Sequence, residues 1–337
     1  MNKYSLIAVL FVLSALLFAC NFNPGKPHDN NTDTAAVAGH LKSDQTAGND
    51  SMQLNPDLTP AESESVIEVV PLSPQANLEN QLPQGEGAPM RKEGIHFASL
   101  GKYSEAIQAF NESLKREPNN ADTWFYRAKA KADMKDYTGA EADYKKAIEL
   151  KSDVPAYYYY RGEMRAVQKK YDAALADFDQ TISLQPTYAD AINYKGVVLA
   201  NKGDHQTAIT FYDQAIEKKP DFALAYYNKA TSLAAQKQFA EAEQDFNEAL
   251  RIQPAYNEAL INRGNVRFML NKYAEAIGDY SKAIEATPDN GDIYYNRAFS
   301  YQRLQQPEKA CADWLKAEQL GHPAAAGMLK QFCGSGK

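Results

Sequence analysis

Apolar and polar positions along this chain repeat with two nested periods. Over short windows the apolar residues return every three to four positions, as in Ala276, Ile277, Tyr280, Ala283 and Ile284. That is the stripe of an amphipathic helix. Over the whole chain the pattern returns every 34 residues. Alanine recurs at Ala106, Ala140, Ala174, Ala208, Ala242, Ala276 and Ala310, and four positions later an aromatic ring follows, at Phe110, Tyr144, Phe178, Tyr212, Phe246, Tyr280 and Trp314. A third column holds only small residues: Gly94, Ala128, Gly162, Gly196, Ala230, Gly264 and Ala298. Proline marks a fourth at Pro118, Pro186, Pro220, Pro254 and Pro288, with Ser152 and His322 in the two remaining slots. A fixed period of this length predicts stacked helix pairs.

Each column has a physical reason. The small residue of the first helix and the alanine of the second belong where two helices cross closely, since a larger side chain would push them apart. The rings fill the space between neighbouring pairs. Proline ends the second helix because it has no N–H to donate and biases its predecessor away from helical backbone.

These residues resemble the tetratricopeptide repeat, a 34-residue helix pair with a proline near its end. With proline at position 32, the chain divides into seven repeats: 87–120, 121–154, 155–188, 189–222, 223–256, 257–290 and 291–324. The resemblance implies an all-α fold, a right-handed α-solenoid of seven helix pairs. Departures from the pattern are Pro307, where a ring such as Tyr137 or Tyr273 stands elsewhere, and a degenerate first helix around Met90. Gly321 suits a helix end and Pro323 a helix start, so a capping helix is expected over 323–333.

The N-terminus is a different material. Ser5–Ala19 is an uncharged run of 15 residues after Lys3, short for a membrane span and suited to a signal-peptide core. It ends in Leu17-Phe18-Ala19-Cys20, which resembles a bacterial lipobox. That resemblance implies a lipoprotein signal peptide over 1–19 and acylation of Cys20, which anchors the chain to a membrane; an ordinary secretory signal or an uncleaved anchor is the alternative. Residues 20–86 are rich in Asn, Asp, Thr, Ser, Gln and Pro and carry ten acidic residues against Lys26 and Lys42. They read as a disordered acidic tether with an end-to-end distance of about 45 Å. Because the whole chain has a net charge of −7, the repeats themselves are balanced. Val66–Leu72 is an apolar patch within the tether, read as a docking strand, a segment folding back on the repeats, or a chance cluster.

No catalytic constellation stands out. The histidines His28, His40, His96, His205 and His322 are scattered, and no H-E-x-x-H, C-x-x-C, G-x-S-x-G or phosphate-loop pattern occurs. The chain is therefore expected to be non-catalytic, with no cofactor, no metal and no nucleic-acid partner, the balanced charge disfavouring the last. The abundant Asp and Glu are expected on exposed helix faces.

Solenoids bind along their concave face, which the resemblance assigns to the first helix of each pair. Positions 5, 9 and 12 then nominate Phe125, Tyr159, Asn193, Tyr227, Ile261, Tyr295, Asn265, Phe268 and Phe299 as a partner-binding groove over a floor of Ala98, Ala132, Ala166, Ala200 and Ala234. In the run Tyr157–Tyr160, Tyr159 is expected in the groove and Tyr158 in the packing. Asn228, Asn262 and Asn296 recur at position 6 and read as joints between repeats rather than peptide clamps. The function expected is a lipid-anchored adaptor or scaffold of the bacterial cell envelope, at the outer membrane facing the periplasm, binding a protein or peptide partner. The alternative is a carbohydrate or peptidoglycan-fragment receptor using the groove aromatics. Finally, Cys311 and Cys333 lie equally far before and after His322. Across an antiparallel turn that symmetry places them side by side, and a disulfide is expected, two buried thiols being the alternative.

Overall fold

The computed structural model describes residues 85–334. The expectations for Cys20, the signal peptide, the tether and Val66–Leu72 lie outside the described residues. Seven helix pairs follow one another: α1 (Ala88–Ser99) with α2 (Tyr103–Arg116), α3 (Ala121–Asp133) with α4 (Tyr137–Leu150), α5 (Pro155–Val167) with α6 (Tyr171–Leu184), and α7 (Ala189–Asn201) with α8 (His205–Lys218). Then come α9 (Ala223–Ala235) with α10 (Phe239–Ile252), α11 (Asn257–Met269) with α12 (Tyr273–Ala286), and α13 (Gly291–Arg303) with α14 (Pro307–Gln319). The odd-numbered helices of successive pairs touch one another, α1 with α3 and so on to α11 with α13, and form the inner layer of the solenoid. The even-numbered helices form the outer layer.

The columns are buried where the pairs cross. All seven column alanines and all seven rings are at most 2% exposed. The glycines are needed for the approach: a Cβ on Gly196 would lie 2.6 Å from Cε1 of Tyr212, and one on Gly264 would lie 2.7 Å from Cε1 of Tyr280. Where alanine takes the place, as at Ala128 or Ala230, it is fully buried.

Every pair is joined by the same turn. Position 15 of each repeat has left-handed backbone, at Gly101, Lys135, Lys169, Gly203, Lys237, Asn271 and Gln305. Its N–H donates to the carbonyl three residues back, and the next N–H to the carbonyl five back, as Lys135 to Ala132 and Asp136 to Lys131. This double bond satisfies carbonyls that the end of a helix leaves open. Glycine adopts this backbone without penalty, yet only two of the seven positions carry it.

Charge is buried in register too. Arg127, Arg161, Arg263 and Arg297 each reach the aspartate 16 residues later in their own repeat, Asp143, Asp177, Asp279 and Asp313. The contacts are bidentate, as in Arg263, whose Nε and Nη2 donate to both oxygens of Asp279 at 3.0 and 2.7 Å. Arg267 adds a third bond to Asp279 at 2.8 Å and itself pairs with Glu243. These aspartates are 3–6% exposed, which corrects the expectation that the acidic residues stay on exposed faces. A carboxylate can be buried when a planar guanidinium fork meets both its oxygens. In the fourth repeat Phe211 replaces the aspartate, and Lys195 sits 4.3 Å over its ring instead.

At the C-terminus α14 stops before Gly321, whose φ is +86°. The expected capping helix is shorter and less regular: α15 covers only Ala325–Met328 and passes into a π-helical turn, Leu329–Cys333. Phe332 stacks on Trp314 at 5.4 Å between centroids, and the wider turn presents that ring together with Cys333. Cys311 and Cys333 form a disulfide with their Cα atoms 5.8 Å apart.

Two stability measurements follow from this packing. Asp279→Ala leaves two arginines without their shared carboxylate, so chemical denaturation is expected to show a loss of about 3 kcal/mol, a little below the full cost of orphaning a buried charge because the guanidinium groups keep some access to water. Removing the disulfide with Cys311→Ala and Cys333→Ala opens a 22-residue separation, which corresponds to about 3 kcal/mol in the chain-entropy estimate. Hydrogen exchange is expected to accelerate in Met328–Phe332 first and to leave α3–α8 unchanged.

Candidate binding site on the inner face

The inner layer is not uniform. At position 3 of the odd helices the residues are mostly small, Thr123, Ala191, Ala225 and Ala259, but the third repeat has Tyr157. Its ring is 1% exposed, and its hydroxyl donates to Asp122 at 2.5 Å. The large ring is a wedge in a column of small ones: it lies 5.0 Å from the Phe125 ring on α3 and shares a buried cluster with Ala147 of α4.

Beside the wedge, helices α3, α5 and α7 gather ionisable groups and rings. Lys129 on α3 is 9% exposed, and its Nζ sits 3.3 Å over the Tyr160 ring and 5.8 Å over that of Phe125. Among the described residues no carboxylate pairs with it within 4.0 Å. Burial lowers its pKa to about 8, although Glu163 and Asp133 pull the other way. Glu163 on α5 is raised to about 7 by burial; Lys129 and a hydrogen bond from Tyr194 lower it, while Asp133 and Asp190 raise it further. Asp133 is raised by burial against the pull of Lys129. The Tyr160 phenol is pushed up to about 12, by burial first and then by Glu163 and Asp190. Charged groups that are desolvated and incompletely paired in a concavity are the usual mark of a functional site.

The nominated groove residues fall into two groups. Phe125, Tyr159, Asn193 and Phe268 are buried at 0–8% exposure. Tyr159 packs between rings, 5.1 Å from Tyr188, 5.0 Å from Tyr160 and 5.7 Å from Tyr194, so it supports the site instead of facing a ligand. Tyr227, Ile261, Asn265, Tyr295 and Phe299 keep part of their surface. Asn265 is occupied, accepting from the Tyr280 hydroxyl at 2.7 Å and from Asn296 at 3.3 Å, and Tyr295 stacks on His322 at 3.9 Å. Ala98, Ala166 and Ala234 are covered, so the alanine floor is not continuous. In the run, Tyr157 and Tyr159 are the packed members, while Tyr158, bonded to the Ser152 carbonyl, and Tyr160 are half-buried.

The position-6 asparagines join repeats: Asn228 donates to Asn193 at 3.0 Å and Asn262 to the Tyr227 hydroxyl at 3.0 Å. Among the described residues no group of three His, Cys, Asp or Glu side chains could hold a metal ion. Lys129 and Glu163 were both visible at position 9 of their repeats, yet each reads as an ordinary surface charge in sequence. Their sequential order inside a 34-residue register is the signal that could have paired them.

The sequence model described as Tetratricopeptide repeat matches residues 91–155, 127–189, 165–222 and 195–257, and the one described as TPR repeat matches 264–305. No curated protein matches the chain. Several solved structures share its architecture. The C-terminal part of a TPR repeat-containing protein from Cytophaga hutchinsonii is 19% identical, with a TM-score of 0.57, over 71% of this chain and 98% of that one. A tetratricopeptide repeat protein from Parabacteroides merdae is 18% identical, with a TM-score of 0.55, over 74% of this chain and 100% of that one. PilW, described as a type IV pilus biogenesis factor, is 20% identical, with a TM-score of 0.53, over 64% and 95%. At these identities the likeness is one of fold. Register, burial and turn geometry repeat seven times, the family's own sequence models cover most of that span, and the chain therefore belongs to the tetratricopeptide repeat family.

Proposed function

We propose that this chain is a non-catalytic adaptor that receives a protein or peptide segment on its inner face, centred on repeats 2–4. The observation that carries the reading is the cluster around Lys129 and Glu163. Repeats held together by packing and by arginine–aspartate pairs gain nothing from a largely buried lysine without an ion pair and a half-buried glutamate bonded only by Tyr194. A partner that meets those groups gives their burial a purpose. The neighbouring rings supply flat apolar surface of the kind that anchors partners.

The adaptor is lipid-anchored through Cys20 in the bacterial cell envelope, at the outer membrane facing the periplasm. The support is the apolar run ending in Leu17-Phe18-Ala19-Cys20 and the acidic tether that follows.

Site-specific photocrosslinking in intact cells tests the first part. A crosslinker at Val197 or Tyr227, on the inner layer, is expected to capture a protein partner, while one at Lys145 or Gln180, exposed on the outer layer, is not. Equal capture from both layers, or none from the inner one, would remove the reading. For the anchor, Cys20→Ser is expected to release the protein from the membrane fraction. Mass spectrometry finding an unmodified N-terminus cleaved elsewhere would end that part.

A further inference from the structure

We propose that the C-terminal cap is a reducible latch over a docking surface: once a dithiol opens the Cys311–Cys333 bridge, the cap leaves Trp314 and the end of the solenoid takes up an amphipathic helix of a partner in its place. The surface is the last face of the repeat stack and does not depend on the inner face.

The cap stands where a next inner helix would stack. Tyr126 of α3 stacks on Phe110 and Tyr194 of α7 on Phe178, each pair 6.2 Å apart between ring centroids, with the planes inclined by 17° and 26°. Phe332 meets Trp314 in the same way, at 5.4 Å and 25°. Ala325 shares a buried cluster with Ala317, as Ala225 does with Ala215 between the fourth and fifth repeats. The end of α14 therefore continues the interface that joins the repeats, with four helical residues and a π-helical turn in the place of a full helix.

This substitute is thinly held. An inner helix such as α11 buries five residues, whereas in the cap only Ala325 is buried. Among the described residues no side chain of Ala325–Phe332 forms a hydrogen bond or an ion pair. Nε1 of Trp314 is buried without a hydrogen-bond partner, while the corresponding ring one repeat earlier, Tyr280, donates its hydroxyl to Asn265 at 2.7 Å. An unmatched buried donor disfavours the closed arrangement, and the bridge offsets this by keeping the cap beside α14. The pivot is Gly321–Ala324, where His322 is stacked on Tyr295 at 3.9 Å between centroids.

Both cysteines are half-buried, so a small dithiol reaches the bridge. One of its thiolates attacks a protein sulfur; the S–S bond breaks, the other cysteine leaves as thiolate, and a mixed disulfide forms. The second thiolate of the reagent then displaces the protein sulfur. The dithiol ends as a disulfide, and its two electrons and two protons leave Cys311 and Cys333 as thiols. The face then open holds the Trp314 ring, its N–H and Ala317. A helix that fits it carries a small residue, a ring three positions later as at Ala191 and Tyr194, and a side-chain acceptor for the indole N–H. The first helix of a second copy does not meet this description. At the positions of Tyr194 and Val198, α1 carries exposed Lys92 and His96, which disfavours head-to-tail stacking and leaves the face to a different partner.

The test uses the full chain with Trp124→Phe, which leaves Trp314 as the single tryptophan, oxidised or reduced with dithiothreitol. The probe is a synthetic peptide of residues 189–222, which carries α7 and its Tyr194. Reduction is expected to shift Trp314 emission to the red, and the peptide to shift it back. The peptide is expected to bind the reduced protein about tenfold or more tightly than the oxidised one, since the closed cap leaves little of the competent state. Cys333→Ser, which opens the bridge without a reductant, is expected to bind as the reduced protein does. A peptide with Tyr194→Ala is expected to lose most of the gain. Emission unchanged by reduction, or a red shift with no gain in binding, overturns the latch. Equal binding to oxidised and reduced protein also overturns it, while leaving the inner face as a binding surface. A doubled mass of the reduced protein in sedimentation gives the face to a second copy and overturns the partner helix.

Discussion

A pair of helices 34 residues long cannot hide its own apolar face, and the close crossing of the two helices is the constraint on which everything else depends. The crossing is set by three columns in contact: a small residue on the first helix, alanine on the second, and a ring one turn further on. At Gly196 and Gly264 there is no room even for a methyl group without moving a tyrosine ring. With that distance fixed, the next pair can only stack in one way, and each repeat buries the open side of its neighbour. The end of the array has no neighbour, and there the short α15, the π-helical turn and the Cys311–Cys333 disulfide cover Trp314 instead.

The same crossing decides where charge can be tolerated. On the outer layer, aspartates sit beneath guanidinium forks that satisfy both oxygens, and burial costs little because the pairing is complete. On the inner layer around Lys129, burial is shallower, with Lys129 9% exposed and Glu163 half-buried, and pairing is incomplete. Both environments hold acidic and basic residues at the same 34-residue spacing, so one register produces a staple on one side and an electrostatically unsatisfied concavity on the other.

Much of the architecture was legible in sequence because it repeats. Seven copies of alanine, ring and small residue predict helix pairs, their order and their number, and the symmetry of Cys311 and Cys333 about His322 places the two sulfurs together. The turns were less legible: the left-handed position falls on Lys135, Lys169, Lys237, Asn271 and Gln305, and only Gly101 and Gly203 announce it. The arginine–aspartate staple was present as a spacing of 16 within each repeat, but a pair of charges so far apart in sequence reads as two exposed residues until a crossing brings them together.

The candidate site marks the boundary most clearly. In the sequence, periodicity set the register, and the resemblance to the repeat family implied that positions 5, 9 and 12 line an inner layer. It did not determine which of those residues are open. Tyr159 and Phe125 became core because neighbouring rings close over them, and Lys129 and Glu163 became the focus because partial burial, which no linear pattern encodes, left the lysine without an ion pair and the glutamate held by Tyr194. Periodicity decides direction; only tertiary packing decides depth, and a titratable group's chemistry depends on depth.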